Sequence, residues 1–337
     1  MNDFSPRTGE EHLEQSIQSS LETVEELLLS SVVGFNDLVD RLTSHLARAG
    51  GKRLRPLLTL ISAQLGAPHR VASDAVIEAA ATVELTHLAS LYHDDVMDSA
   101  PSRRGVDSAQ LVWGNNRAIL AGDLLFARAS RLVARLGPES VEYHARTFER
   151  LCMGQLNETF GPAPDADPVQ FYLQVLADKT GSLVAASAFL GALHAGAGKE
   201  VAAMVESFGE NVGVAFQLAD DVLDIASPAE VTGKTPGTDL REGVDTMPVL
   251  LLREAERKGT LDPQGREILE LLDEDLDSDA ALEKVVAALR VHPVLGETRA
   301  LAQEWAAKAI AAISELPDSE AKESLEAFAM MMVDRAA

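Results

Sequence analysis

The chain has 337 residues, 46% of them hydrophobic and 24% charged, and its 29 basic against 53 acidic side chains leave a net charge of −24. That balance belongs to a folded globular protein of one large or two ordinary domains and excludes a disordered, collagen-like or coiled-coil chain. The acidic excess disfavours a nucleic-acid partner held by a general basic field, so any anion must be caught locally; the single cysteine, Cys152, excludes a disulfide framework or thiolate metal cage and suits a reducing cytoplasm.

Residues 1–14 carry several acids and no basic segment followed by an apolar core, which is not the pattern of a signal or transit peptide, and residues 1–10 are expected to be loose. Apolar residues then recur at helical spacing over 10–48, 56–66, 71–98, 117–136 and 141–160. The uncharged stretch 180–198 is long enough to span a bilayer, yet Ser182, Ser187, His194 and several glycines make it a poor match to lipid and a good match to a buried, closely packed helix. Val201, Met204, Val205, Phe208, Val212 and Phe216 form the next amphipathic stripe, and 297–333 the last. Prolines such as Pro68, Pro101, Pro138, Pro168, Pro228, Pro263 and Pro293 fall between stripes and mark loops. No alternating strand pattern and no Asn-Gly or Asp-Gly hairpin signal occurs, so the chain reads as all-α, one continuous helical domain over 11–337. The acidic run from Asp273 to Asp279 resembles a calcium loop only superficially: Lys284 stands where a bidentate Glu is needed, so it reads as a solvated link between helices.

One local pattern occurs twice. Asp94, Asp95 and Asp98 form a DDxxD, and Asp220, Asp221 and Asp224 repeat it. Residues four apart on a helix share a face about 6 Å apart along the axis, so each outer pair can bridge a cation. An exposed acidic face is the ordinary meaning of such clusters, but these continue apolar stripes: Val212 and Phe216 lead to Asp220, and Val76, Ala80, Val83, His87 and Ser90 lead to Asp94. Carboxylates emerging from a buried stripe need compensation, and oxygen-only ligands favour Mg²⁺ over Zn²⁺, shared with the oxygens of a polyphosphate.

Cations sit close by in sequence. Lys52, Arg53 and Arg55 crowd the segment 51–56 ahead of a helix, and Arg103-Arg104-Gly105 follows the first triad. Arginine forks match phosphate oxygens bidentately and lysine adds a point charge, whereas exposed salt-bridge partners are the alternative. His87 lies two turns before Asp94, as a core histidine or a hydrogen-bond donor to phosphate. Lys179-Thr180, Gln217 and Lys234 are individually unremarkable, although Gln217 shares a face with Asp220.

Together these segments resemble the trans-isoprenyl diphosphate synthases of the polyprenyl synthetase family: GKRLRP at 51–56, HLASLYHDDVMD at 87–98, RRG at 103–105, KT at 179–180, QLADDVLD at 217–224 and GKTPGTDLREG at 233–243. The resemblance implies an all-α bundle around a deep central cavity with the triads facing each other across its mouth, in a cytoplasmic homodimer. It implies that Asp94, Asp95, Asp98, Asp220, Asp221 and Asp224 bind three Mg²⁺ ions once substrate is present, that Arg103, Lys179, Thr180, Gln217 and Lys234 hold an allylic diphosphate, with Lys179 and Lys234 also aiding catalysis, and that Lys52, Arg55, His87 and Arg104 hold isopentenyl diphosphate. Ionisation of the allylic C–O bond, attack by the isopentenyl double bond and loss of a proton would follow. No transmembrane segment is expected, and peripheral membrane contact for product release is compatible with this reading.

Product length depends on the turns before Asp94. Thr86, Ala89 and Ser90 are small where bulky aromatics would stop elongation, which resembles the long-chain makers of quinone side chains. The alternative is that small residues only permit close helix packing, with a floor set by Leu124 or Phe126 and a geranylgeranyl- or farnesyl-length product. A terpene cyclase, which would need neither GKRLRP nor a second DDxxD, and a non-catalytic subunit of a heteromeric synthase are the competing readings.

Overall fold

A computed structural model of the chain describes residues 10–227, 236–274 and 276–334. Residues 1–9, expected to be loose, and Lys234 lie outside them.

The first half of the described chain runs α1 (Glu10–Ser31), α2 (Asp37–Thr43), α3 (His45–Arg48), α4 (Leu54–Ala63), α5 (Asp74–Met97), α6 (Ala109–Trp113), α7 (Asn115–Val133) and α8 (Pro138–Phe160). It continues through α9 (Pro168–Leu176), α10 (Ser182–His194), α11 (Lys199–Ala226), α12 (Thr238–Arg241), α13 (Met247–Arg257), α14 (Pro263–Leu272), α15 (Asp279–Val291), α16 (Pro293–Ala312) and α17 (Glu320–Asp334). The boundaries follow local chemistry. Asn36, Asp167 and Asp262 cap α2, α9 and α14 by accepting from first-turn N–H groups, and Pro168 and Pro263 occupy first-turn positions whose N–H would have no helical partner. The acidic residues Asp273, Glu274, Asp277 and Asp279 are exposed between and at the start of α14 and α15, as a solvated link should be.

The all-helical expectation holds, with one small addition. Ser102–Arg103 and Val106–Asp107 pair antiparallel across a turn made by Arg104 and Gly105, both with positive φ (55° and 78°). That is the geometry of a tight hairpin turn, whose first central residue is usually Asn or Asp. Arginine there hid the hairpin from the sequence.

The described residues fall into two compact units whose segments alternate, within 1–149, 183–209 and 312–326 in the first and within 150–182, 210–311 and 327–337 in the second. In the first unit α5 packs along α7, and Leu28, Leu46, Leu58, Leu85, Leu88, Tyr92 and Leu125 are almost fully buried. The α10 segment contributes Leu183 and Leu190, so the uncharged stretch is core, and no described helix is long and apolar enough to cross a membrane. The second unit is centred on Val214, Leu218, Val222, Met247, Val249, Val285 and Leu289.

Candidate active site

Each unit carries one aspartate-rich turn, and the two are built alike. In the first unit Asp95 is fully buried, Asp94 is half-buried and Asp98 is exposed at the end of α5. In the second, Asp221 is buried while Asp220 and Asp224 are half-buried on α11. Adjacent residues on a helix point about 100° apart, so the middle carboxylate turns inward where the outer two share a more open face.

The inward carboxylates have partners. Arg103 Nε donates to Asp95 Oδ1 at 2.7 Å, and Asp95 Oδ2 is buried with no hydrogen bond among the described residues. Tyr172 OH donates to both oxygens of Asp221 at 3.1 and 3.0 Å, and the Met247 N–H reaches Oδ2 at 3.2 Å. Burial raises the pKa of Asp95, opposed by Arg103, and pushes Asp221 well above the usual carboxylate range, opposed by the Met247 N–H. The six aspartates that the sequence treats as equivalent therefore differ: the outer pairs Asp94/Asp98 and Asp220/Asp224 present stacked carboxylates, and the middle ones tie their turns to the unit. An all-oxygen donor set with a spare buried acceptor on Asp95 fits a hard divalent cation. Among the described residues no three acidic, His or Cys side chains converge into a complete cage, so such an ion would take its remaining ligands from water or phosphate.

The first unit also concentrates positive charge. His87 is half-buried, and burial together with Arg55, Arg104, Arg103 and Arg53 pushes its imidazole well below the usual histidine value. Arg55 lies in the first turn of α4, where the helix dipole also favours an anion, and its Nε is buried with no hydrogen-bond partner among the described residues. Burial lowers the Arg55 pKa, opposed by Glu84 and aided to a lesser extent by the like charge of Arg104. Lys52 is exposed beside it. Guanidiniums beside His87, with an unused donor on Arg55, make a donor set that suits a small polyanion. Arg104, also assigned to that anion by the resemblance, spends donors on the Leu46 carbonyl at 3.1 Å and on the Gly50 carbonyl, and lies 3.6 Å from Glu84.

Glu84 was not legible as a functional residue. It is 2% exposed on α5, three positions before His87, and its oxygen lies 3.0 Å from Arg53. The available signal was a glutamate interrupting an apolar stripe.

In the second unit Lys179 and Thr180 sit in a wide helical turn, a π-helix over Ala177–Gly181 that continues α9. Such turns are rare and gather at functional sites. Two glycines make room for it: a Cβ on Gly154 would stand 2.7 Å from the Lys179 nitrogen, and one on Gly213 would stand 2.5 Å from the Gly181 Cα. Arg150 braces the turn, donating from Nε to Asp178 at 2.7 Å and from Nη1 to Glu210 at 2.6 Å. Lys179 pairs with Glu158, Thr180 is buried, and Gln217 is half-buried one turn before Asp221. Neither the wide turn nor Tyr172 had any signal in the sequence.

The three small residues proposed to govern product length also differ. Ser90 shares the His87 face and donates to the His87 carbonyl at 2.9 Å. Ala89 is fully buried with its carbonyl 3.1 Å from where a Cβ on Gly122 of α7 would stand. Thr86 is fully buried, donates to the Thr82 carbonyl, and lies 2.9 Å from His144 Nε2.

Comparison with known proteins places this arrangement. The nonaprenyl diphosphate synthase of Mycobacterium tuberculosis is 42% identical over 330 residues, covering 98% of this chain and 93% of that one. The geranylgeranyl pyrophosphate synthase of Corynebacterium glutamicum, solved with calcium and isoprenyl diphosphate, matches with a TM-score of 0.85 at 39% identity and covers 100% of both chains. A decaprenyl diphosphate synthase from Rhodobacter capsulatus matches with a TM-score of 0.83 at 31% identity, over 97% of this chain and 99% of that one. The all-α isoprenoid synthase fold, here carrying two aspartate-rich turns, is that of a prenyltransferase. The chain belongs to the polyprenyl synthetase family, whose sequence profile matches residues 36–289.

Proposed function

We propose that the chain is an all-trans-polyprenyl diphosphate synthase that adds isopentenyl diphosphate head to tail onto an allylic diphosphate, releases diphosphate, and makes a long product. The observation that carries this reading is the buried Nε of Arg55, without a hydrogen-bond partner among the described residues, on the same unit as His87, Arg104 and the Asp94 turn.

Isopentenyl diphosphate is taken by Lys52, Arg55 and His87, with Arg104 closing the charge around it. The allylic diphosphate is taken by Lys179, Thr180 and Gln217, with Arg103 and Lys234 completing the set implied by the family motifs. Glu158, the present partner of Lys179, yields to the more concentrated charge of a diphosphate. Asp94 and Asp98 on one turn, and Asp220 and Asp224 on the other, would each hold Mg²⁺, which would neutralise the charge that develops on the leaving diphosphate. In the reaction the isopentenyl double bond attacks the allylic carbon as its C–O bond ionises, and the departing diphosphate accepts the proton lost afterwards.

Long product length is supported by Thr86, Ala89 and Ser90, none bulky, and by a relative named for a nonaprenyl product. A geranylgeranyl-length product is the second reading, favoured by the close approach of Gly122 to Ala89. Incubation of the purified chain with Mg²⁺, labelled isopentenyl diphosphate and separate allylic primers, followed by product chromatography, decides between them. All-trans products well beyond geranylgeranyl length are expected, and chelation of the metal abolishes them. A stop at twenty carbons favours the second reading; no elongation without an added polypeptide means a subunit of a heteromeric synthase.

We also infer a cytoplasmic homodimer. The adjoining helices α6 and α7 leave Leu111 and Leu120 63% and 64% exposed, with Val112 and Ile119 beside them. Large apolar side chains left this exposed on neighbouring helices favour a face that a partner covers. Sedimentation equilibrium at micromolar concentration should give a dimer for the native chain and a monomer for Leu120→Glu; a native monomer overturns the assignment.

A further inference from the structure

The motif at 51–56 contains two arginines, and they are not alike. Arg53 has all five of its N–H donors engaged: Nε and Nη2 reach the two oxygens of Glu25 at 2.7 and 2.9 Å, Nη1 reaches Glu84 at 3.0 Å and the Gly50 carbonyl at 3.3 Å, and Nη2 also reaches the Ala47 carbonyl at 3.0 Å. No donor is left for a substrate. Arg55, two residues on, is the arginine with an unused buried Nε.

The backbone of Arg53 is also special. It adopts φ 49° and ψ 37° as the residue that starts α4, a left-handed conformation that L-residues other than Asn, Asp and Gly rarely occupy. Such a strained conformation persists only where surrounding contacts over-determine it. Here the contacts are the two carboxylates. Glu84 is buried between Arg53 and Arg104, and Glu25 projects from α1, the N-terminal helix, which packs on α4 and α5.

We propose that Glu25 and Glu84, acting through Arg53, are positioning residues for the isopentenyl diphosphate receptor: they fix the left-handed turn that sets Lys52 on one side of Arg53 and Arg55 on the other, and they neutralise the one arginine that does not meet substrate. The inference rests on the proposed function for the identity of the anion. It gives α1 a role in catalysis although α1 carries none of the family's motif residues. It also explains why two carboxylates sit beside a site for a polyanion: their charges offset two of the four cations Lys52, Arg53, Arg55 and Arg104, and the excess is carried by Lys52, Arg55 and Arg104.

The test uses the full chain with Glu25→Gln, Glu25→Asp and Arg53→Lys. Glu25 is about two-fifths exposed (its side chain 38%), so its variants fold, which thermal melting verifies. Glu25→Gln is expected to raise KM for isopentenyl diphosphate about tenfold, with kcat and the allylic KM changed less than about twofold, because one charge-assisted fork is lost from the turn. Glu25→Asp restores part of the loss, and Arg53→Lys, which keeps charge but not the fork, resembles Glu25→Gln. A merely structural tie would lower Tm and leave the ratio of the two KM values unchanged, and that result overturns the proposal. Equilibrium titration with inorganic diphosphate in EDTA needs no turnover. If the native chain elongates nothing, the proposed function falls, and an equal Kd for native and Glu25→Gln protein in that titration overturns the positioning role separately.

Discussion

Asp94→Ala and Asp220→Ala each lower kcat by about 10²–10³-fold or more, with Tm unchanged or slightly raised. The magnitude is that of losing a fixed electrostatic stabiliser of charge developing on a leaving group. The direction on stability follows from exposure: both side chains are half-buried members of acidic clusters, and removing one relieves repulsion in the metal-free protein. Asp221→Ala behaves differently. It strips the acceptor from the buried Tyr172 hydroxyl and from the Met247 N–H, and buried donors left without a partner cost about 1–3 kcal/mol each, so Tm falls as well as kcat. Steady-state kinetics across a Mg²⁺ titration, paired with thermal melts of the three variants, reads both quantities. Full turnover in Asp94→Ala or Asp220→Ala would remove the metal role from the outer aspartates; an unaltered Tm in Asp221→Ala would remove the anchoring role from the inner one.

Gly213→Ala is the second large effect. Its Cβ would stand 2.5 Å from the Gly181 Cα and 3.0 Å from the Gly181 nitrogen, both backbone atoms that cannot rotate away. Overpacking of this kind costs about 1–3 kcal/mol, and here the strain falls on the π-helical turn that presents Lys179 and Thr180. A loss of Tm is therefore accompanied by a rise in KM for the allylic diphosphate, while KM for isopentenyl diphosphate, whose receptor is in the first unit, stays near its native value. Gly198→Ala is the control, because a Cβ there meets nothing within 4 Å. Equal loss for both substrates in Gly213→Ala would mean that the wide turn does not govern the allylic site.

The parts of this site that were legible in the sequence are those whose chemistry is contiguous along the chain. The two DDxxD clusters, Lys52 with Arg55, and Arg103 with Arg104 each fall within a few residues, and helical periodicity carried His87 onto the Asp94 face. What was hidden is what the fold brings from afar. Arg53 meets Glu25 from 28 positions away, and Tyr172 meets Asp221 from 49. No spacing rule encodes either pair. The wide turn at 177–181 was invisible for another reason: its residues fit an α-helix equally well, and the distinction lies in glycines on α8 and α11 that let the backbone come close. The division of each triad into an inner and two outer carboxylates needed three-dimensional burial, since the sequence presents three aspartates of one kind.

The receptor around His87 sits in a chain of net charge −24. At physiological ionic strength the Debye length is about 8 Å, so an approaching anion is repelled by the average surface and attracted only once it is within a few ångströms of the arginines. Such a field acts as a filter on shape. A headgroup whose negative charges are packed into one small volume can enter the attractive region whole, whereas an extended polyanion such as a nucleic acid would have to lay most of its length against repulsive surface. Selection of small diphosphates over larger polyanions thus begins outside the proposed receptor, with the acidity of the rest of the molecule.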